Sequence, residues 1–155
     1  MLLKILMLVN LLSYSWIVGQ AYMYIIALSD VSKKLDAASY IHFRQLTDAN
    51  FMAKYKYVIY GSLLTSLLLC LFTAGKPTGF LFISSVIAFA ALIADVLLAI
   101  KGNIPINKRI NSWTTENYPA NWQTYRDKWL QVYSKRQVAN IVGFTSLVLG
   151  TIFGT

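Results

Sequence analysis

Residues 79–100 read GFLFISSVIAFAALIADVLLAI and carry one charge, Asp95. A helix rises about 1.5 Å per residue and the hydrocarbon layer of a bilayer is about 30 Å thick, so about 20 such residues cross it. Three further apolar runs occur, at residues 2–28, 57–74 and 138–153. The last is short, but the segment before it has helical spacing, which predicts one long helix entering the bilayer obliquely. The runs are continuous, not alternating, and this excludes the strands of a membrane barrel. With 57% hydrophobic and 13% charged residues and a mean hydropathy of +0.53, the expected fold is an all-α integral membrane protein. It is a single domain over residues 1–155, a bundle of four transmembrane helices.

The cations give an orientation. Lys33, Lys34, Arg44, Lys54 and Lys56 lie between the first and second runs. Lys101, Lys108, Arg109, Arg126, Lys128, Lys135 and Arg136 lie between the third and fourth, leaving Lys4 and Lys76 for the other side. Positively charged loops stay in the cytoplasm, which places the chain in the cell (inner) membrane with both termini outside. The net charge of +8 is then a topology signal with some attraction to anionic lipid, and no basic face of a soluble module points to nucleic acid. Cleavage of the first run after Val18-Gly19-Gln20-Ala21, as a secretory signal, would put the cationic loops on the wrong face. Cys70 and His42 are each alone of their kind, so neither a disulfide framework nor a metal site is expected.

Both cytoplasmic segments have helical pattern. In the first, Asp30 and Ser32 can cap a helix start, and Val31, Leu35, Ala38, Ile41 and Leu46 form an apolar face opposite Lys33, Lys34, Asp36 and Arg44. This predicts an amphipathic cytoplasmic helix between spans 1 and 2, lying at the interface or extending span 1. In the second, KGNIPINKRINSW (residues 101–113) leaves the apolar phase; Pro105 cannot donate to a helix ladder and should stop the third span. A helical extension beginning near Pro119 or Asn121 leads into span 4, with Trp122 and Trp129, like Trp113, expected as interfacial aromatics.

Polar side chains in the apolar phase are the stronger functional pointers, because each is costly unless it is paired or faces a cavity. Asn10, Ser13, Tyr14, Gln20 and Tyr24 share one face of span 1. Antiparallel packing of spans 3 and 4 brings Asp95, Arg136 and Asn140 to one level. Together with Tyr60 this predicts a polar pocket opening to the cytoplasm; the same residues could equally serve to hold helices together. Gly143, Ser146, Gly150 and Gly154 make a small-residue stripe on span 4, suited to close approach within the bundle or between protomers.

Asn103-Ile-Pro105-Ile-Asn107 after a third span, followed by Trp129-Leu-Gln-Val-Tyr-Ser-Lys-Arg136 before a fourth, resembles the bacterial membrane family grouped with the anthrone oxygenases. The resemblance covers the four-span layout and is most specific over residues 101–136. It implies a small four-helix membrane protein. The characterised members oxidise an activated aromatic carbon with molecular oxygen and have no established metal or organic cofactor. The family's Asn-x-Pro-x-Asn falls on Asn103, Pro105 and Asn107, its tryptophan on Trp129 and its arginine on Arg136. Where the family commonly has a histidine one turn after that tryptophan, this chain has Tyr133. Taking these positions together with the polar residues of the spans, catalytic roles are expected of Asp95, Tyr133 and Arg136, and substrate contacts of Gln20, Tyr60, Asn103, Asn107, Trp129 and Asn140. The expected partners are membrane lipids, a lipophilic aromatic ligand, and a second copy or a membrane-complex subunit. The alternative reading is a non-catalytic accessory or scaffold subunit.

Overall fold

The computed structural model describes residues 1–154, with the backbone alone at residue 52. Four long helices account for nearly all of it: α1 (Leu2–Lys34), α2 (Ala37–Thr73), α3 (Phe80–Asn111) and α4 (Trp122–Phe153). Each contains a stretch long and apolar enough to cross a membrane. The first residues of α1, Gly154 and the 74–79 turn lie at one end of the bundle. The 35–36 connection and the 112–121 loop lie at the other.

The helices outrun their apolar segments at that second end. α1 continues through Lys34, so Asp30 and Ser32 start no helix. The start lies at Asp36, whose carboxylate accepts from the Ser39 backbone N–H at 2.9 Å and from its hydroxyl at 2.8 Å. These two bonds hold the Asp36 carboxyl below the usual carboxylate range. The amphipathic segment is therefore the first third of α2, an extension of span 2 and not of span 1. Its buried face differs in part from the expected one: Ile41 is buried as expected, but Val31 and Leu46 are exposed, while Ala37, Tyr40 and Arg44 are buried. Because α2 runs unbroken into the membrane, its phase is set by the span below, where Ser62, Ser66 and Leu69 face inward; the same three- and four-residue steps carried upward turn Arg44 into the bundle.

Pro105 does not end α3. The helix widens into a π turn over Ala99–Asn103, where the Ile104 N–H bonds the Ala99 carbonyl. Pro105 follows in the first turn of the resumed α-helix, a place where a missing N–H is tolerated, and the helix continues to Asn111. It stops at Ser112 and Trp113, whose N–H groups bond back to Arg109 and Ile110.

Two cores result. At the membrane end Met7, Tyr14, Ile17, Leu69, Leu81, Leu92 and Leu147 pack together. At the extended end Tyr24, Tyr40, Ile41, Ile106, Ile110, Trp113, Trp122, Trp129 and Tyr133 form a second, aromatic-rich cluster. The tryptophans expected in an interfacial belt are thus inside, at 8% exposure for Trp113, 7% for Trp122 and 5% for Trp129. An extension beyond the apolar runs needs a water-excluding core of its own, and large rings remove the most surface per residue. In the membrane, where lipid is as apolar as leucine, close approach matters more. The glycine stripe of α4 meets that need: Gly143 faces Tyr14 and Ala91, and Gly150 faces Ser84. Leu12, Trp16, Leu64, Leu71, Ile83 and Val142 cover the outside.

Candidate functional site

A buried polar ladder climbs between α3 and α4 from mid-bundle to the extended end. At its base Arg136 Nε lies 2.7 Å from Asp95 Oδ1 and Nη2 lies 3.3 Å from Oδ2. Asn140, one turn along α4, donates its amide to the same Oδ1 at 3.0 Å. The remaining arm of Arg136 donates to Asn103 Oδ1 at 3.2 Å, and the Asn103 amide donates to the Trp129 carbonyl at 3.0 Å. The Trp129 indole N–H donates to Asn107 Oδ1 at 2.8 Å. Asn107 in turn donates to Asp48 at 2.7 Å, as does Asn111 to the other carboxylate oxygen. The π turn contributes to this register: it brings Asn103, its last residue, into the bundle interior at 2% exposure, facing α4.

The feature absent from the sequence-based site is Arg44. It donates to the Tyr24 hydroxyl at 3.1 Å and to Asn107 Oδ1 at 3.0 Å. Its guanidinium lies 3.9 Å from the centre of the Trp129 ring, a geometry in which a cation is attracted to the ring face. Trp129 stacks on Tyr133 at 5.0 Å, and the Arg136 guanidinium lies 5.3 Å from the Tyr133 ring. Arg44, Trp129, Tyr133 and Arg136 therefore form one column, cation, ring, ring, cation, with Tyr24 packed on both rings. The signal that could have found Arg44 is its spacing from Tyr40, Ile41, Asp48, Phe51 and Tyr55, which places all six on one face of α2.

The column forms one wall of a cavity of about 220 Å³. Of the expected site residues, Gln20, Tyr60, Asp95, Asn103, Asn107, Trp129, Tyr133 and Arg136 all border it; Asn140 does not, and reaches the site only through Asp95. Tyr60 stands at the rim, 64% exposed. Further lining comes from α2: Asp48, Phe51, Tyr55 and Ile59. α2 packs against α3 along Phe80–Leu98 and again along Ile104–Asn111, and less closely against the π turn between them. The cavity reaches the surface there, between Lys56 and Tyr60 of α2 and Ile100 of α3, so it opens sideways between two helices and not solely at the bundle's end.

The chemistry follows from which groups are occupied. Both oxygens of Asp95 accept charge-assisted or amide hydrogen bonds, so this carboxylate fixes Arg136 and is poorly placed to take a proton from a substrate. Along the ladder and column, capacity is left at one donor and one acceptor: the Arg44 Nε–H has no hydrogen-bond partner among the described residues. Asn140 Oδ1 is likewise without one. No three His, Cys, Asp or Glu side chains gather as a metal site would require among the described residues. No family model matches the chain, and comparison with curated proteins and with solved structures gave no match either.

Proposed function

We propose that this multi-pass membrane protein binds a lipophilic aromatic small molecule in the cavity between α2, α3 and α4 and acts on it as an oxygenase. The loops rich in lysine and arginine would lie in the cytoplasm and both termini outside. The observation that carries the reading is the cavity itself. A space of about 220 Å³ is walled by Phe51, Tyr55, Trp129 and Tyr133 and has the Asp95–Arg136 pair on its lining. Apolar walls with a few convergent polar groups are the usual composition of a small-molecule site. In this reading Arg136 and Asn103 orient a substrate oxygen, Asp95, itself held by Asn140, keeps Arg136 in place, and Tyr133 supplies the column's hydroxyl for proton transfer. The resemblance over residues 101–136 supplies the reaction class, oxidation of an activated aromatic carbon by molecular oxygen.

The test is reconstitution in phosphatidylcholine nanodiscs, titration with anthrone followed by tryptophan fluorescence, and measurement of oxygen uptake. Saturable quenching with oxygen-dependent conversion supports the proposal. Quenching without conversion keeps the binding site and removes the oxygenase. A second reading, a non-catalytic subunit, is favoured by the shallow outer groove on α3 and α4 lined by Phe80, Ile83, Ile87, Val142 and Leu149. A stoichiometric membrane partner lost on introducing Ile83→Trp would support it.

A further inference from the structure

Arg44 is a buried cation without a matching anion. It is 4% exposed, and no carboxylate forms an ion pair with it among the described residues. Asp48, one turn away on α2, takes its hydrogen bonds from Asn107 and Asn111, so Arg44 reaches that carboxylate only through the Asn107 amide. Tyr24 and Trp129 supply a hydroxyl oxygen and a ring face, both neutral. The Nε–H is left over, and the side chain borders the cavity. Leaving a guanidinium buried and one of its donors unused is costly unless something else supplies negative charge.

Two further observations restrict that something. Lys56 stands at the side opening, so the cavity's charged lining is Arg44, Lys56 and Arg136 against Asp48 and Asp95, an excess of one positive charge. The volume of about 220 Å³ is below the roughly 300–1,000 Å³ of a site that encloses a drug-sized ligand. A ligand of membrane origin would therefore keep only part of itself inside, and the thinner packing of α2 against the π turn, where the lining residues Lys56, Tyr60 and Ile100 are exposed, gives the rest a way out.

Resting on the small-molecule reading above, the geometry points to an amphiphilic monoanion as the ligand. Its anionic oxygen group is held by Arg44, and its apolar body lies between α2 and α3. An aromatic acid and a fatty acid share that chemistry, and the experiment separates them. The protein in phosphatidylcholine nanodiscs, with empty discs as reference, is titrated with two pairs matched in carbon number: 1-naphthoate and 1-naphthalenemethanol, decanoate and decanol. The expected result is at least about ten-fold tighter binding of the anion within one pair or both. A preference confined to the naphthalene pair identifies an aromatic acid, and one confined to the decyl pair a lipid-derived acid. Arg44→Gln should abolish the preference while leaving binding of the neutral member, and Arg44→Lys should retain part of it. Equal binding of anion and alcohol in both pairs by the unmodified protein overturns the proposal and leaves the small-molecule site standing. The unmodified protein alone decides this, should Arg44→Gln fail to fold. Absence of binding by all four probes removes both.

Discussion

Arg136 of α4 lies edge-on to Asp95 of α3, with two nitrogens at 2.7 and 3.3 Å from the two carboxylate oxygens, and this pair sets the register of the most extensively packed helices in the bundle. Asp95 is 1% exposed and Arg136 is 8% exposed. At that depth either charge alone would be uncompensated.

Asp95→Asn is accordingly expected to destabilise the protein by about 3–5 kcal/mol, because it leaves Arg136 buried without its counter-ion. The double change Asp95→Leu with Arg136→Met should recover most of that loss. Thermal unfolding in detergent micelles measures both, and equal loss in the single and double variants would refute the account.

Gly143 sits where α4 crosses α1 and α3. A Cβ there would collide with the Tyr14 hydroxyl and approach the Ala91 Cβ to 2.7 Å. Gly143→Ala should cost about 1–3 kcal/mol of stability through overpacking. Tyr14→Phe in the same chain should restore only part of it, since Ala91 remains; complete rescue would show that the helices can shift apart freely.

Tyr40 packs its ring 5.6 Å from Trp122, and its buried hydroxyl has no partner among the described residues. Tyr40→Phe should therefore be neutral or slightly stabilising near neutral pH, whereas Tyr40→Ala should cost about 3–5 kcal/mol. Burial pushes the hydroxyl's pKa up from 10.0 to about 12. Between these values the unfolded chain has released the proton and the folded one has not, so stability falls as pH rises from 10 to 12. The Phe variant should fall less steeply over that interval in a pH series of melting temperatures, and parallel curves would exclude the assignment.

Asp36 caps α2 while its carboxylate is ionised. Its lowered pKa means that the contribution is complete above about pH 4 and is lost as pH falls through the folded-state value. Asp36→Ala should melt below the parent protein at neutral pH, and the difference should close on acidification. A gap that persists at low pH would mean that the cap acts through something other than the charged carboxylate.

Much of the molecule is legible in the residues themselves. A run such as 79–100 has few alternatives to a membrane helix, because a lipid-exposed backbone must satisfy its own hydrogen bonds. Helical rise along antiparallel spans fixes depth by counting, and this alone brings Asp95, Arg136 and Asn140 to one level. The pattern of the aromatic extension into span 4 likewise proved to be one helix, Trp122–Phe153.

What the sequence by itself determined, then, is depth: which residues lie at which level along the bundle axis, and that the elements are helices. Azimuth and occupancy were decided only by the tertiary structure. The phase of α2, inherited from Ser62, Ser66 and Leu69 far down the same helix, turned Arg44 from an assumed solvent face onto Trp129. α3 ran on past Pro105 through the π turn, and the cavity lies beside Ala99, Ile100 and Asn103 of that turn. Trp113 and Trp122 went inside because the neighbouring helices also project beyond the apolar runs and pack around them. Helical rise is a local property of one segment, whereas the direction in which a side chain points, and whether it meets lipid, water or a ring, depends on three other segments that no local pattern contains.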